Sequence, residues 1–312
     1  MKIAFQMDPI ESVDINADST FRLAEEAQIR GHDLYVYTPS DLTFNRGKIA
    51  AKVRSISLKR TIGEHVRFGS LEIIDLTEFD VIWLRQDPPF DMGYITNTHL
   101  LDLVASETLI VNDPFWVRNF PEKLLVLKFP DLIPDTLISR DLEEIKEFKR
   151  KFKDIIIKPL YGNGGAGIFR LKEDDKNLTS LYELFSSFSS EPLIAQAFIP
   201  EVKNGDKRII LVDGDPVGVI NRVPKAGEIR SNMHVGGKAE RAKLSQREKE
   251  ICTAIGPTLK SRGQIFVGID IIGDYLTEIN VTSPTGIQEL ERFDKKNIAE
   301  MIWHAVEKKL NG

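Results

Sequence analysis

Residues 264–289 read QIFVGIDIIGDYLTEINVTSPTGIQE. Two runs rich in apolar and β-branched residues, 265–272 and 276–281, flank Gly273-Asp274-Tyr275, a pattern typical of a β-hairpin. Three side chains in these runs carry oxygen atoms that can bind a metal ion: Asp270, Glu278 and Asn280.

The register of this hairpin determines whether the three side chains share a face. Glu278 and Asn280 are two residues apart, so they lie on the same face of their strand. A two-residue turn would pair Asp270 with Thr277 and direct Asp270 to the other face. A three-residue turn, 273–275, pairs Asp270 with Glu278, and we expect this odd-numbered turn.

Two carboxylates and an amide oxygen on an apolar face would repel one another and be poorly solvated without a cation. Hard oxygen ligands suit Mg²⁺, which usually keeps several waters and takes further ligands from phosphate oxygens. The alternative is a half-buried hairpin whose acids point to water, which is usual for an isolated pattern of this kind. The rest of the chain favours the metal site.

Length and composition describe an ordinary globular protein. The chain has 312 residues, 42% hydrophobic and 29% charged, enough for two or three domains. The net charge of −5 argues against a nucleic-acid partner. The single cysteine, Cys252, excludes internal disulfides and is expected to pack in the core. We see neither a signal peptide nor an apolar run of about 20 residues, and expect a cytoplasmic protein without a membrane partner.

The first part of the chain predicts an open parallel α/β sheet that ends near residue 120. We expect strands over 2–7, 33–38, 80–84 and 109–112, helices over 20–30 and 93–106, and an antiparallel ribbon over 52–77. Arg85 and Asp87 follow the third of these strands, where open α/β sheets place their ligands. Arg85 could grip a carboxylate there, and the alternative is a surface arginine paired with a neighbouring acid.

Gly162, Gly164 and Gly167 match the dinucleotide fingerprint G-x-G-x-x-G. That fingerprint requires a helix directly after the glycines, whereas residues 168–172 alternate as a strand does. We therefore expect a glycine-rich hairpin whose backbone N–H groups cover phosphates, and disfavour an NAD-dependent oxidoreductase. Lys158 ends the preceding apolar run and could reach those phosphates, although a lysine extending to water is the alternative.

The next segments predict a strand over 192–197, a hairpin of 209–213 with 216–223, and helices over 245–262 and 295–310. The first strand leads into Phe198-Ile199. Its free backbone N–H and C=O groups, together with Gln196, could form hydrogen bonds with the edge of an adenine ring. Residues 224–240 lack periodicity and contain Arg230. We interpret them as a mobile loop that closes as a lid and excludes water, with an ordinary surface loop as the alternative.

The order of these parts resembles the ATP-grasp superfamily. Four runs are, more closely, similar to the prokaryotic glutathione synthetase family: Met7–Ile10 (MDPI), Arg85–Asp91 (RQDPPFD), Gly205–Arg208 (GDKR) and Thr277–Pro284 (TEINVTSP). The resemblance extends nearly end to end. It implies an ATP-grasp fold, α/β and in parts α+β, with a Rossmann-like N-terminal domain (1–120), a central lid domain (121–199) and a C-terminal metal and substrate domain (200–312).

This resemblance implies ligation of glycine to γ-glutamylcysteine through an acyl phosphate, with ATP and Mg²⁺ (or Mn²⁺) as cofactors and a homotetramer as the assembly. It assigns Arg208 and Arg230 to catalysis and Asp270, Glu278 and Asn280 to the metal. The implied nucleotide contacts are Lys123, Lys158, Gly162, Asn163, Gly164, Gly165, Gln196, Ala197, Phe198, Ile199, Asp206 and Arg208. The implied peptide contacts are Arg85, Asn280, Ser283, Pro284 and Thr285.

Two positions depart from the family as we know it. Gly286 stands where a well-known relative has cysteine, and Tyr161 replaces an acidic residue beside the glycine-rich loop. Two further functions stay open: an ATP-grasp ligase with another acid or amine, such as a D-alanine ligase or a glutamate-adding enzyme, and a non-catalytic ATP-binding regulator.

Overall fold

The computed structural model describes residues 1–162, 164–225, 227–228, 230–231 and 236–312. Within these ranges the strands form three sheets, with helices packed against them. In the described part of the chain, no helix combines the length and the apolar character that crossing a membrane requires.

The first sheet has the strand order β3-β4-β2-β1-β6-β7, with β5 paired to β4. Its strands are β1 (Lys2–Gln6), β2 (Asp33–Tyr37), β3 (Leu42–Asn45), β4 (Lys48–Leu58), β5 (Val66–Asp75), β6 (Val81–Leu84) and β7 (Leu109–Val111). Its helices are α1 (Ser19–Ile29), α2 (Met92–Asp102) and α3 (Pro114–Asn119).

The predicted parallel core of this sheet is confirmed, because β1 pairs in parallel with β2 and β6, and β6 with β7. The predicted ribbon over 52–77 begins earlier, at β3, and β4 also pairs with β2. The ribbon is therefore an extension of the sheet. Asp18 caps α1 by accepting a hydrogen bond from the N–H of Phe21 at 2.6 Å.

The second sheet is antiparallel and has the order β10-β9-β11-β8. A short helix, α4 (Glu122–Leu125), precedes this sheet. The strands of the sheet are β8 (Thr136–Ser139), β9 (Ile155–Pro159), β10 (Phe169–Leu171) and β11 (Leu193–Ala197), and its helices are α5 (Leu142–Phe152) and α6 (Leu178–Phe188). It packs its own apolar core, which includes Ile145, Ile157 and Leu171. A strand follows the glycines, so the predicted hairpin is confirmed and the dinucleotide fingerprint is rejected.

The third sheet has the order β14-β13-β12-β15-β16. Its strands are β12 (Asp206–Val212), β13 (Asp215–Val223), β14 (Lys238–Arg241), β15 (Phe266–Ile272) and β16 (Tyr275–Asn280), and its helices are α7 (Gln246–Lys260), α8 (Ile287–Asp294) and α9 (Ile298–Asn311). Residues 238–240, predicted as loop, belong to β14. The sequence analysis also missed α8. The first and third sheets share apolar cores, in which Trp83 and Trp303 meet edge-on at 5.3 Å between ring centroids.

The hairpin of β15 and β16 has the predicted pairing but a different turn. Ile272 pairs with Tyr275, so the turn has two residues, and the prediction of a three-residue turn is wrong. A β-bulge follows, because Ile271 pairs with Leu276 while Asp270 pairs with Glu278. The bulge places one extra residue in β16 and restores the parity that brings Asp270 and Glu278 to one face.

Candidate active site

A cavity of about 890 Å³ lies where the three sheets meet, and its walls include Asp87, Ile156 and Arg208. Of the predicted site residues in the described part of the chain, only Arg85 is absent from the wall. Asn163, also predicted as a nucleotide contact, lies outside the described residues. The fold therefore brings side chains from positions more than 150 residues apart to the wall of one cavity.

Lys123 joins the glycine-rich loop to the hairpin of β15 and β16. Its side chain is buried, and Nζ donates a hydrogen bond to the carbonyl oxygen of Gly162. The same nitrogen lies 3.6 Å from Oε1 of Glu278. A compact ammonium between the glycine-rich loop and a carboxylate of the predicted metal site suits contact with the anionic end of a nucleotide.

Lys158 is buried at the end of β9, on the wall of the cavity. Its Nζ donates to Oε1 of Gln196 at 3.3 Å, and Gln196 Nε2 donates to the hydroxyl of Thr136 at 2.9 Å. Burial lowers the pKa of Lys158 because the charged form is poorly solvated. An anionic ligand would relieve that cost, as a phosphate contact requires.

The segment predicted to face adenine differs from expectation in its backbone. The N–H of Ala197 donates to the carbonyl of Asp135 at 2.9 Å, and the N–H of Phe198 donates to the carbonyl of Asp154 at 3.0 Å. The prediction of free N–H groups at these two positions is therefore wrong. Ile199 also lines the cavity, immediately after the paired segment.

A row of charged side chains crosses the third sheet on the face that lines the cavity. Cross-strand register pairs Arg222 with Asp206, Arg208 with Asp270, and Asp270 with Glu278. Because Asp206 and Arg208 are two residues apart on β12, these pairs share a face. Opposite charges at facing positions stabilise the sheet and fix the direction of each group.

Two guanidinium groups hold Asp270. Arg208 donates through Nε and Nη2 to the two carboxylate oxygens, at 2.5 and 2.9 Å, and Arg222 Nη2 lies 3.0 Å from Oδ1. Although burial opposes ionisation, Arg208 and Arg222 hold the pKa of Asp270 far below its usual range. The carboxylate is therefore ionised at any pH at which the protein would work.

Gly268 makes room for the Arg208 side chain. A Cβ atom at this position of β15 would lie 3.1 Å from Cδ of Arg208 and 3.2 Å from Cβ of Pro284. Both contacts are tighter than van der Waals packing allows comfortably, so a side chain there would displace the guanidinium or the turn at Pro284.

Asp206 combines a salt bridge with an unused acceptor. Its Oδ2 accepts hydrogen bonds from Arg222 Nη2 and, at 2.9 Å, from the hydroxyl of Ser231. Its Oδ1 is buried without a hydrogen-bond partner among the described residues. Burial raises the pKa of Asp206 to about 6 despite the opposing charge of Arg222. A buried, unsatisfied carboxylate oxygen suits a ligand hydroxyl, consistent with the nucleotide contact that the family resemblance implies for Asp206.

The three predicted metal ligands fit a hard divalent cation by their chemistry. Asp270 and Glu278 are cross-strand neighbours, and Asn280 Nδ2 donates to Oδ2 of Asp270 at 3.4 Å, which leaves the amide oxygen of Asn280 available. In the described residues no group of three or more His, Cys, Asp or Glu side chains is placed to hold a metal ion. The donor set therefore depends on the amide oxygen as its third member.

Arg85 is buried behind the cavity wall. Its Nε donates to the hydroxyl of Thr20 and its Nη2 to the carbonyl of Pro284, both at 2.9 Å. Its Nη1 is buried with no hydrogen-bond partner among the described residues. The guanidinium thus anchors the Ser283–Thr285 turn, and direct contact with a peptide substrate stays a prediction.

Arg230 lines the cavity from the segment 224–240. Its Nη2 donates to Oε2 of Glu228 at 2.6 Å, and its side chain is one-third exposed. Residues 226, 229 and 232–235, which belong to the predicted lid, lie outside the described residues. The catalytic role of Arg230 stays a prediction.

The sequence analysis missed Glu122 and Arg222. Glu122 lines the cavity and accepts a hydrogen bond from the hydroxyl of Thr282 at 3.0 Å. Burial and the charge of Glu278 raise the pKa of Glu122 to about 7. No motif marks Glu122. The predicted hairpin, extended, would place Val223 opposite Asp206. In the structure Val212 pairs with Asp215 and the register shifts after Ile210, and these two features place Arg222 there instead.

The fold matches solved ATP-grasp structures over almost its whole length. It is similar to the D-cycloserine synthetase DcsG (TM-score 0.70, 14% identity, 99% of each chain). It is also similar to a RimK domain protein from Sphaerobacter thermophilus (TM-score 0.63, 15% identity, 97% of this chain and 98% of the other). At these identities the likeness concerns the fold alone, and it confirms the predicted ATP-grasp architecture.

Sequence comparison is more specific. The chain is 58% identical to a glutathione synthetase from Brucella melitensis, over 98% of each chain. It is 56% identical to one from Mesorhizobium japonicum, over 99% of each. Family models for the N-terminal domain and the ATP-grasp domain of prokaryotic glutathione synthetase match residues 1–118 and 122–295. The chain therefore belongs to the prokaryotic glutathione synthetase family.

Proposed function

We propose that the chain ligates glycine to γ-glutamylcysteine, with conversion of ATP to ADP and phosphate, through an acyl phosphate. The observation that carries this proposal is the position of Lys123, whose ammonium contacts both the glycine-rich loop at Gly162 and the carboxylate of Glu278. A nucleotide phosphate beside this ammonium would lie at once under the loop and next to the metal-binding face.

The charge pattern of the cavity suits carboxylate activation. A carboxylate reacts poorly with an amine because oxide would have to leave, whereas an acyl phosphate releases phosphate. Forming it requires two anions to meet, and Lys123, Lys158 and Arg208 offset their repulsion in a buried site. Arg208 also stands at the turn predicted to hold the peptide, because its Nη1 donates to the carbonyl of Thr285 at 3.3 Å. We propose that it stabilises the oxyanion that forms when glycine attacks.

We propose that Asp270, Glu278 and Asn280 hold the divalent metal, Mg²⁺ with Mn²⁺ as a substitute. When bound, such an ion supplies positive charge to phosphate oxygens. Arg208 and Arg222 keep Asp270 ionised for this role, and the β-bulge keeps Glu278 on the same face as Asp270.

Three further features belong to the proposal. The segment 224–240 closes over the acyl phosphate and excludes water, with Arg230 facing the reacting groups. Domain boundaries lie near residues 120 and 199, which is supported by the separate apolar core of the second sheet. The protein works in the cytoplasm as a homotetramer, as the family resemblance implies.

The direct test is ADP release by the purified chain with MgATP and γ-glutamylcysteine, with and without glycine. We expect rapid release only when glycine is present, with glutathione formed in equal amount. Glu278→Gln should lower kcat at least about a hundredfold, whereas Glu240→Gln, a change on β14 outside the cavity, should not. If the rate of ADP release does not depend on γ-glutamylcysteine but increases with another acid or amine, the chain is a different ATP-grasp ligase.

A further inference from the structure

The cavity wall carries two groups of charged side chains. Lys123, Lys158 and Arg208 belong to the first group, with the acids Asp206, Asp270 and Glu278, where the nucleotide is proposed to bind. The second group, the acidic end, consists of acids from the loops of the first sheet and from α8, namely Asp18, Asp87 and Glu289. A triphosphate would be repelled there, and the reaction as proposed so far gives this acidic end no task.

Contacts between α8 and the loop before α1 assemble the acidic end. Gln288 Nε2 donates to the carbonyl of Asp18 at 2.6 Å, and Arg292 Nη1 donates to the carbonyl of Asn16 at 2.6 Å. These two bonds fasten the first turns of α8 beside the loop. Glu289, which lies between them on the helix, is thereby held on the wall of the cavity that Asp18 also lines.

Glu289 has an unused oxygen in a buried position. The residue is 6% exposed, and its Oε1 accepts a hydrogen bond from Arg292 at 2.6 Å. Its Oε2 is buried and has no hydrogen-bond partner among the described residues. Leaving a buried carboxylate oxygen without a donor costs free energy, so this atom is placed to receive a donor from a ligand.

The carboxylates of Asp18 and Asp87 also favour binding of a cationic group. Burial raises the pKa of the Asp18 carboxyl against the lowering effects of the Phe21 N–H and of Arg85, and the nearby Asp87 adds to the rise. Asp87 itself is exposed. A positively charged ligand group between these carboxylates would remove their mutual repulsion.

One short run of chain links the acidic end to the reaction centre. The carbonyl of Thr285 accepts from Arg208 at 3.3 Å, and the carbonyl of Pro284 accepts from Arg85 at 2.9 Å. Gly286 then begins α8, which carries Glu289 in its first turn. A substrate with its reacting carboxylate at Arg208 can therefore extend along this run until its far end meets the acids.

We infer that Asp18, Asp87 and Glu289 bind the α-ammonium of the γ-glutamyl part of the substrate. The inference rests on the proposed function. In a γ-linked dipeptide the α-ammonium lies far from the carboxylate that is activated, so different parts of the cavity wall can bind the two groups. An acid of the same length without the ammonium would bring only its own negative charge to these carboxylates. The acidic end thus selects γ-glutamyl substrates against plain diacids.

The test compares γ-glutamylcysteine with glutaryl-cysteine, which lacks only the α-ammonium. We expect the wild type to prefer γ-glutamylcysteine in kcat/KM roughly 10- to 100-fold, the range of a charge-assisted hydrogen bond. Glu289→Gln and Asp87→Asn should each reduce this preference several-fold, mainly through the KM for γ-glutamylcysteine, while the KM for ATP stays unchanged. Asp294→Asn is the matched control, because it removes an acid of α8 that pairs outside the cavity with Arg241.

Equal use of the two substrates by the wild type would overturn the inference, and so would an unchanged preference in both variants. Should Glu289→Gln not fold, as judged by circular dichroism, Asp87→Asn decides the comparison because its side chain is exposed. Absence of ADP release with γ-glutamylcysteine itself would instead overturn the proposed function, and the inference with it.

Discussion

Arg208 and Asp270 face each other across β12 and β15, and the guanidinium meets the carboxylate through two parallel hydrogen bonds of 2.5 and 2.9 Å. Arg208 also contacts the carbonyl of Thr285, so one side chain fixes a proposed metal ligand and touches the turn at the proposed peptide site. Lysine cannot reproduce this fork, because its ammonium is a point charge.

Arg208→Lys should lower kcat by roughly two to three orders of magnitude, in the range seen when one donor to a developing oxyanion is lost. The melting temperature should fall little, because Arg222 still pairs with Asp270. Steady-state kinetics and thermal unfolding test both statements. Arg241→Lys, in an exposed pair with Asp294, is the control. A kcat within twofold of wild type would contradict the role of Arg208.

Because the pKa of Glu122 is raised, the ligand-free protein should become less stable as pH rises. This pKa is raised to about 7 from an ordinary value of 4.5, so the folded state holds this proton more tightly than the unfolded state. The contribution to stability is complete below pH 4.5 and is lost as pH rises through about 7.

Glu122→Gln removes this titration. The free energy of unfolding of the variant relative to wild type should therefore increase from pH 5 to pH 8, as measured by urea unfolding at each pH. Glu143→Gln, at an exposed position on α5, should show no such trend. A difference that is the same at both pH values would refute the raised pKa of Glu122.

Tyr161 joins the glycine-rich loop to the first sheet. Its ring stacks on Phe90, with centroids 6.0 Å apart and planes 26° apart. Phe90 belongs to the R-x-D-P-P-F run, so this contact holds the loop against the N-terminal part of the cavity. Tyr161 therefore has a packing role.

Tyr161→Ala should raise the KM for ATP about two- to tenfold, in line with the 0.5–1.5 kcal/mol of an aromatic pair. Tyr161→Phe keeps the ring and should behave as wild type. Kinetics at saturating γ-glutamylcysteine and glycine will measure both. An alanine variant with an unaltered KM would show that the stack does not position the loop.

Shortening the segment 224–240 should uncouple ATP hydrolysis from peptide formation. If this segment excludes water, deleting residues 232–235 lets water compete with glycine for the acyl phosphate. The ratio of ADP to glutathione should then rise above one. A variant with alanine at the same four positions keeps the length and serves as control. An unchanged ratio in the deletion variant would reject the lid.

Alternation and turn chemistry were sufficient to predict the parallel first sheet, the glycine hairpin and the hairpin of β15 and β16. The pairing of Asp270 with Glu278 was predicted for the wrong reason. The turn has two residues, and a bulge at Thr277, whose hydroxyl donates to the carbonyl of Asp270 at 3.1 Å, supplies the odd residue. A bulge has no clear signature in one sequence, because any strand residue can occupy it.

Tertiary contacts account for most of what was missed. Glu122 has no motif of its own, and its place in the cavity depends on Thr282, 160 residues away. The helix α8 follows directly on a turn rich in Ser, Pro, Thr and Gly, where loop signals dominate. Its position is set by Gln288 and Arg292 against a distant loop, which local periodicity does not report.

Transfer of an oxygen atom from the substrate carboxylate to phosphate tests carboxylate activation most directly. γ-Glutamylcysteine labelled with ¹⁸O in both oxygens of its cysteinyl carboxylate is incubated with the protein, MgATP and glycine. One labelled oxygen attacks the γ-phosphorus and leaves with phosphate when the amine displaces it, and the other stays in the new amide. We predict one ¹⁸O atom in each phosphate by mass spectrometry. If labelled glutathione forms while the released phosphate carries no ¹⁸O, the result would contradict an acyl phosphate in this cavity.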